Sequence, residues 1–293
     1  METFDGRAAQ DFDQDGIGHS ITKMSVFHEE NRTYSFRDRD AKAFRMRRIR
    51  LMIVFVLAVF VAPTFATAGW WSMLDRPGSW RSADWSSSGV LPPPARDGAA
   101  IYVMAARTGG LKGALAVHSW LVVKRPGTAV YERYDKVGWG SPIRRNAYAA
   151  DARWYSNVPW VVRSVSGEEA ERLIPKVERA IAGYPYSQHG DYRLWPGPNS
   201  NSFVAHVLRE TPELGAVLPP NATGRDFAPG FASFDIAPDG RDVHATLGGL
   251  VGFAAGVRSG LEIHFLGLVA GLDLSRPALK IPAYGRVELL PDN

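Results

Sequence analysis

The sequence predicts an α+β domain built on an antiparallel sheet with a few helices, preceded by one N-terminal transmembrane or signal helix. Three observations lead to this prediction: an apolar run before residue 72, three strand-like segments between residues 99 and 138, and two helix-like segments between residues 166 and 210. Because strands and helices occur in separate blocks, the order is typical of α+β proteins.

The N-terminal part of the chain divides into two segments. Residues 1–43 are polar, charged and weakly patterned, which predicts a disordered leader, or a mis-annotated one if translation starts at Met46. Residues 44–71 contain a basic cluster at 45–50, an uncharged apolar run at 51–68 and two tryptophans. This layout predicts a membrane anchor or a secretory signal. A buried core helix is the weaker alternative, because the basic flank lies on one side only.

The segments after this helix follow from turn and periodicity signals. Residues 72–98 are rich in Ser, Pro and Trp and predict an irregular segment that wraps onto the domain, since tryptophans seldom lie in a solvated tether. Residues 99–293 form the predicted globular α+β domain. Its strands are expected at 99–107, 114–124, 129–138 and within 247–274, and its helices at 166–183 and 201–210.

Local motifs add detail to these elements. Ser166 and Glu169 form a Ser-x-x-Glu capping box, and Pro175 predicts a kink or two abutting helices. A two-residue hairpin loop at Pro126-Gly127 would pair Arg125 with Thr128.

The composition excludes several classes of protein. The 293 residues are 45% hydrophobic, which is enough for one sizeable core. The net charge of +4 lies largely in the cluster at 45–50, so no nucleic-acid partner is expected. The chain has no cysteine, which excludes disulfides, cysteine-bound metals and a thiol nucleophile. No cofactor is predicted.

The segment "NSNSF", Asn199–Phe203, contains the first candidate for chemistry. Ser200 opens a helix, where unpaired N–H groups and the helix dipole favour a nucleophile and stabilise an oxyanion. The amides around Asn201 and Ser202 are the predicted oxyanion donors. The same physics gives the alternative that Asn199 or Ser200 only caps the helix and contributes about 1 kcal/mol.

His118 is the best candidate base for Ser200. It lies in the middle of an apolar strand, where an imidazole needs partners for both ring nitrogens. The two-residue hairpin loop places it opposite Asp135, which would orient the ring as the third member of a triad does. The alternative is a core histidine bonded to the backbone.

Other side chains complete the set of candidates. Asn199, Asn201, Ser202, Trp120, Trp139 and Trp195 are predicted to bind substrate. His206 lies one helical turn after Ser202, and His189 with Asp191 could ligate a metal together with His244 or His264. No histidine has strong ligand spacing, so no metal site is predicted.

Two resemblances bear on function. The segments "RPGSWRSADWSSSG", "YDKVGWG", "YPYSQHGDYRLWPGPNSNSFV" and "LGLVAGLDLSRPALKIPAYGR" resemble the domain-of-unknown-function 3750 family of bacterial proteins. That resemblance implies a membrane-proximal leader but no activity. By the positive-inside rule, the basic cluster at 45–50 is expected in the cytoplasm and everything after Trp71 outside it. For a bacterial protein this predicts the inner membrane with the domain on the periplasmic side, or export after signal cleavage.

The second resemblance is remote. A strand histidine followed by a nucleophile that opens a helix is similar to circularly permuted papain-like folds, such as the PPPDE and lecithin:retinol-acyltransferase-like proteins. Ser200 stands in the cysteine position and His118 is the upstream histidine. Serine does not ionise as a thiol does, so it needs the base to take its proton.

The first hypothesis for function is therefore a membrane-anchored envelope protein with a non-catalytic or weakly catalytic ligand-binding domain. The alternative is a serine-dependent amide or ester hydrolase or acyltransferase that acts on an envelope peptide, peptidoglycan or lipid. A purely structural envelope protein is the third.

Overall fold

A computed structural model describes residues 41–290. Residues Ala41–Ser72 form a helix, α1, whose most apolar window has a mean hydropathy of 2.4. By length and composition α1 can cross a membrane, and it fits a membrane anchor or a signal sequence. The predicted leader lies outside the described residues up to residue 40, whereas residues 41–43 are helical.

A π-helical stretch, Leu57–Val61, interrupts α1 just before Pro63. Proline has no N–H to donate to the preceding turn, and its ring crowds the carbonyl four residues earlier. The wider turn accommodates this crowding without ending the helix.

The domain contains two antiparallel sheets, whereas one was predicted. The first has the strand order β4-β3-β2-β1-β5. Its strands are β1 (Ala100–Arg107), β2 (Val117–Lys124), β3 (Glu132–Lys136), β4 (Ile143–Arg145) and β5 (Trp160–Ser166). One face packs against helices and the other against aromatic side chains, so β1 and β2 are buried on both faces.

Two helices cover the first face. They are α2 (Gly167–Ala182) and α3 (Ser200–Glu210). Each buries one apolar stripe with helical spacing, which packs on the side chains of β1 and β2. The core formed in this way contains Val103, Leu121, Val123, Leu173, Val177, Phe203, Val204 and Val207.

The start of α2 differs from the prediction, and Pro175 lies within one helix, not between two abutting helices. Ser166 is at the N-cap position, but its side chain makes no capping hydrogen bond, so the predicted capping box is wrong. The helix also runs through Pro175 as one element. Pro175 lies on the exposed face, while Leu173 and Val177 on either side are buried, so packing keeps the two halves in one helix.

The second sheet is a seven-stranded meander. Its strands are β6 (Ala232–Ile236), β7 (Asp242–Leu247), β8 (Val251–Gly256), β9 (Gly260–Phe265), β10 (Leu268–Asp273), β11 (Ala278–Ile281) and β12 (Gly285–Glu288). Each strand pairs with the next in sequence. The predicted strands within 247–274 are present. The sheet also contains strands before and after this range, which were not predicted because polar residues interrupt their apolar pattern.

Residues 73–99 have no long element and pack on the second face of the first sheet. The ring of Trp85 stacks on Tyr148 with 5.3 Å between centroids and lies 4.7 Å from Tyr155. Asp151 accepts hydrogen bonds from Ser87 and Ser88, which fix the segment to the loop before β5. The segment therefore closes the aromatic side of the domain.

Trp85→Ala is expected to destabilise the domain by about 2–3 kcal/mol, below the 3–5 kcal/mol typical of a fully buried tryptophan because Trp85 is partly exposed. Urea unfolding of the detergent-solubilised chain measures this. Trp80→Ala is the control, since Trp80 is 57% exposed and should cost no more than about 0.5 kcal/mol. Equal effects of the two substitutions would contradict this account of the segment.

Candidate functional site

A buried carboxylate on β3, Asp135, holds the imidazole of His118 on β2. Nε2 of His118 lies 2.9 Å from Oδ1 of Asp135. The guanidinium of Arg133 donates to the same carboxylate from Nε at 3.0 Å and from Nη2 at 2.8 Å. All three side chains are almost fully enclosed. They form a buried chain of charge-assisted hydrogen bonds.

The strand register that creates this contact differs from the predicted one. The strands pair Val123 with Glu132, so the connection is longer than the two-residue loop at Pro126-Gly127, and that prediction is wrong. The register is shifted by two residues, and side chains alternate with a period of two. His118 and Asp135 therefore still lie on one face, as diagonal neighbours across the two strands.

Burial and charge set the protonation of this group. Burial alone would raise the pKa of Asp135, but the charge of Arg133 and the hydrogen bond with His118 outweigh it and hold the pKa at about 2. Burial lowers the pKa of His118, although Asp135 acts in the opposite direction. The ring is therefore neutral at pH 7, with its proton on Nε2 toward the carboxylate and a lone pair on Nδ1.

The indole of Trp154 fixes the plane of His118. The two rings stack with centroids 3.7 Å apart and planes 6° apart. Nδ1 of His118 has no hydrogen-bond partner within residues 41–290, and it is not among the fully enclosed unpartnered atoms. It therefore remains accessible from the cavity that His118 lines.

Trp120 was predicted to line the same cleft, and that prediction is wrong. Its side chain is fully buried and donates from Nε1 to the carbonyl of Ala150 at 2.8 Å. The guanidinium of Arg133 lies 3.9 Å over its ring. Trp120 shares the face of His118 but lies deeper, so it supports Arg133 through a cation–π contact.

The N-terminus of α3 is capped by Asn199. Its Oδ1 accepts from the amides of Asn201 at 2.9 Å and Ser202 at 3.1 Å. The hydroxyl of Ser202 accepts from the amide of Asn199 at 2.6 Å, which completes a capping box. These amides were the predicted oxyanion donors. The cap already occupies them, which weighs against this role, and the role stays a prediction.

The side chains of Asn199, Asn201 and Ser202 hold α3 in place. Asn199 and Asn201 also line the cavity that His118 lines, and the role of all three residues in binding substrate stays a prediction. Asn201 donates to the carbonyl of Val117 at 2.9 Å, and its Oδ1 accepts from the hydroxyl of Ser119 at 2.8 Å. These two hydrogen bonds are made to the residues on either side of His118 in β2. They therefore fix the start of α3 relative to the imidazole.

Asn199 reaches across to the loop at residue 223. Its Nδ2 donates to the carbonyls of Leu194 and Thr223, each at 3.0 Å. Gly224 has a φ of +93°, and a Cβ at this position would lie 2.3 Å from Nδ2 of Asn199. Glycine at residue 224 therefore allows the cap and the loop to approach each other closely.

Ser200 is the first residue of α3 and not its cap. Among the residues described, its hydroxyl has no hydrogen-bond partner, and it is not fully enclosed. Ser200 and His118 line the same cavity, although no hydrogen bond joins their side chains. The hydroxyl of Ser200 and the Nδ1 lone pair of His118 therefore both face this cavity.

This cavity has a volume of about 250 Å³ and lies at the end of the first sheet. Trp139 and Trp195 line it as predicted; they are 47% and 50% exposed, so each presents part of its ring to solvent. The sequence did not single out several other lining residues: Thr108, Lys112, Trp154, Tyr155, Tyr192, Leu194 and Thr223. The aromatic content of the segments 139–155 and 192–195 was the available signal for Trp154, Tyr155 and Tyr192.

The alternative histidine sites are absent among residues 41–290. His206 lies against the ring of Tyr184, with 5.3 Å between centroids, whereas Ser202 is bonded to the hydroxyl of Tyr184 at 3.1 Å. His206 and Ser202 do not form a pair. His189 and Asp191 take part in no group of three potential metal ligands in this part of the chain.

The two helix-start residues give a direct test of the capping assignment. Asn199→Ala is expected to lower the free energy of unfolding by about 1–2 kcal/mol, because it leaves helix amides and buried carbonyl partners unsatisfied. Ser200→Ala should change it by no more than about 0.5 kcal/mol. Chemical denaturation of both variants measures this, and a reversed order would assign the cap to Ser200.

The neutral state of His118 makes stability depend on pH. Because its folded pKa is below 6.5 and its unfolded pKa is near 6.5, the unfolded chain binds the proton first as pH falls. The contribution of His118 to the free energy of unfolding is therefore complete above pH 6.5. As pH falls below 6.5 the free energy of unfolding decreases by up to about 1.4 kcal/mol per pH unit.

His118→Gln should therefore show a shallower loss of stability than wild type between pH 7.5 and pH 5.5 in urea unfolding. His189→Gln is the control and should leave the curve unchanged, since His189 is exposed and lies outside the cavity of His118. Parallel curves for wild type and His118→Gln would show that the imidazole is not held neutral.

Comparisons with known proteins bear on the family only. Neither the comparison with curated proteins nor that with solved structures found a match. The papain-like resemblance of the His118 strand and the Ser200 helix therefore stays a prediction. The segment that carries His118, Asp135 and Ser200 does match a family model. The family resemblance predicted from the sequence is confirmed over residues 98–227, which match the family described as "Protein of unknown function (DUF3750)".

Proposed function

We propose that this protein is a membrane-anchored envelope protein whose domain binds a ligand in the 250 Å³ cavity at the end of the first sheet. One observation carries the proposal: Nδ1 of His118 and the hydroxyl of Ser200 both line this cavity, and neither has a partner among the described residues. Polar groups that converge unpaired on an aromatic-lined cavity are typical of ligand sites.

The chemistry of the cavity walls defines the class of ligand. The half-exposed rings of Trp139 and Trp195 suit a flat, weakly polar face such as a sugar ring, and Lys112 suits a carboxylate. The volume is slightly below the range of about 300–1,000 Å³ usual for small-molecule sites. It accommodates one sugar or one amino-acid-sized group of a larger ligand, which favours a peptidoglycan fragment.

The location of the domain follows from the sequence around α1. Arginines are concentrated at 45–50, before the apolar part of the helix. The positive-inside rule places this cluster in the cytoplasm and the domain on the periplasmic side of the inner membrane. If α1 is instead a cleaved signal, the domain is exported to the same compartment.

Muramyl dipeptide, which carries a sugar ring and a carboxylate, is the probe for this proposal. Calorimetric titration of the detergent-solubilised chain should show saturable binding. Trp139→Ala should weaken binding about 3–10-fold, corresponding to a stacking contribution of about 0.5–1.5 kcal/mol. Trp80→Ala, which removes an exposed tryptophan outside the cavity, should have no effect. No binding, or equal effects of the two substitutions, would contradict the proposed site.

A serine-dependent hydrolase or acyltransferase is the second candidate, and the orientation of His118 by Asp135 favours it. Ser200 would attack the carbonyl carbon of an amide or ester, and Nδ1 of His118 would accept its proton and pass it to the leaving amine or alcohol. Water or a second nucleophile would then release the acyl group from Ser200. The missing hydrogen bond between these two side chains and the occupied amides of Asn201 and Ser202 weigh against efficient catalysis. These two features make binding the better-supported function.

A serine-directed fluorophosphonate probe distinguishes the two functions. Catalysis predicts labelling that is lost in Ser200→Ala and retained in Ser79→Ala, a control at an exposed serine. Binding without catalysis predicts no labelling at Ser200 while muramyl dipeptide still binds. Labelling that survives Ser200→Ala would exclude this residue as the nucleophile.

A further inference from the structure

A second group of polar side chains lies beside a larger cavity, of about 630 Å³, between α3 and the second sheet. Asp226, His244 and His264 each offer one ligand atom, and the three atoms lie within 4.8 Å of one another. Nε2 of His244 is 3.1 Å and Nδ1 of His264 is 3.2 Å from the same oxygen, Oδ1 of Asp226. The three residues come from the loop after α3, from β7 and from β9.

The strand pairing explains how distant residues meet. His244 on β7 pairs with Ala254 on β8, and Ala254 pairs with Glu262 on β9. Residues paired directly across strands share one face, and His264 lies two positions after Glu262 on that face. The small side chain of Ala254 leaves room for the groups of β7 and β9 to approach each other.

The contacts of His264 indicate a cation site. Its Nε2 lies 3.0 Å from Oε2 of Glu262, a carboxylate that also pairs with Arg225 and Lys280. Nδ1 of His264 is enclosed, has no hydrogen-bond partner among the described residues, and faces a carboxylate oxygen at 3.2 Å. An imidazole nitrogen and a carboxylate oxygen placed in this way are a common pair of metal ligands.

We infer that Asp226, His244 and His264 bind a divalent transition-metal ion, with zinc as the reference ion. Two imidazoles and one carboxylate are a set that such ions accept, with Zn–N and Zn–O distances of about 2.0–2.2 Å. Tetrahedral ligands at these distances lie about 3.3–3.5 Å apart, close to the observed 3.1 and 3.2 Å.

The surroundings of the three ligands agree with a metal site. Glu262 orients His264 as an outer-shell carboxylate does in many metal sites. Asp226 and His244 line the 630 Å³ cavity, so a fourth coordination position opens toward it. A water molecule or an anionic group of a ligand would complete the coordination there. This site is separate from the cavity of His118 and Ser200.

The metal is tested on the full chain in detergent after chelator treatment and dialysis. Titration with Zn²⁺ should give one site per chain, and Co²⁺ should give the visible absorption of a four-coordinate ion. His244→Gln should weaken Zn²⁺ binding by more than about 100-fold, the upper range for losing only an outer-shell partner. His206→Gln is the matched control, because His206 lines the same cavity without joining the three ligands.

Absence of stoichiometric Zn²⁺ and Co²⁺ binding would overturn the inference. Equal affinity of wild type and His244→Gln would overturn it as well. Asp226→Asn is the second variant, since it removes the shared oxygen charge by an isosteric change. Circular dichroism identifies the variants that fold, so that loss of metal is scored only on folded protein.

The opposite face of the second sheet is apolar and exposed, which is a separate feature from the three metal ligands. Its strands point polar residues inward and apolar residues outward: Glu262 and His264 are buried, whereas Leu261 and Ile263 between them are each about half exposed. The same outward face includes Phe234, Leu247, Val251, Phe253, Leu272 and Leu279, all exposed. An apolar face of this extent on the outside of a sheet marks an interaction surface.

The position of α1 identifies the occupant of this outward face. The ring of Phe60, in the apolar part of α1, lies 5.5 Å from that of Phe265 at the end of β9. Trp70 near the end of α1 lies 5.9 Å from Tyr284. The outward face therefore lies next to the helix that is apolar enough to cross a membrane. Strands of four to six residues are too short to span a bilayer, which needs about 9–11.

We propose that the outward face of the second sheet rests on the lipid bilayer beside α1. Because the chain has no cysteine, Ile263→Cys gives a single labelling site for an environment-sensitive dye. In vesicles of phosphatidylethanolamine and phosphatidylglycerol, the dye at residue 263 should be blue-shifted and quenched by spin-labelled lipid. The same dye at Glu171→Cys, on the exposed face of α2, should show neither effect.

Equal water exposure of the two labels in vesicles would overturn the bilayer contact. Cross-linking between copies through residue 263, without lipid quenching, would also overturn it and assign the face to a second copy of the chain. Far-UV circular dichroism of both labelled chains provides the check on folding.

Discussion

The candidate site depends on one buried charge, the carboxylate of Asp135. A carboxylate removed from water needs a countercharge and hydrogen-bond donors, and Arg133 and His118 supply them. The pairing fixes which nitrogen of His118 carries the proton. Trp120 and Trp154 then enclose the group, so the imidazole has a single orientation toward the cavity. The packing of the loop before β5 therefore helps to fix the orientation of the His118 imidazole.

A similar constraint acts on the other wall of the cavity. The start of α3 has several free amides, and the structure uses two of them for the side chain of Asn199. Asn201 then ties the helix to the two residues that flank His118. This arrangement fixes the position of Ser200 but leaves few donors for an oxyanion. It supports the proposed ligand binding over acyl transfer.

The sequence was informative wherever local chemistry decides the structure. The apolar run of α1, the strands around His118 and the helix after Asn199 follow from periodicity and capping signals. The contact of His118 with Asp135 followed from strand alternation, which tolerates a register error of two residues. The roles of Trp120 and Trp154 did not follow, because sequence spacing does not tell which tryptophan of a folded loop lies over a given ring.

The second sheet shows the limit of pattern reasoning more clearly. Prediction from periodicity assumes that apolar side chains point into the domain, whereas here Leu261 and Ile263 point outward and Glu262 and His264 point inward. The alternation was visible, but its direction depends on what covers the sheet. The Asp226–His244–His264 group was equally hidden, since it is assembled by pairing through β8 rather than by spacing along the chain.

The tautomer of His118 tests the central claim most directly, because the whole site is built to present its Nδ1 lone pair to the cavity. Long-range proton–nitrogen correlation spectra of the ¹⁵N-labelled chain at pH 7 report the protonation of each ring nitrogen. We expect a neutral ring with its proton on Nε2 and an unprotonated Nδ1. A charged ring, or a proton on Nδ1, would contradict it.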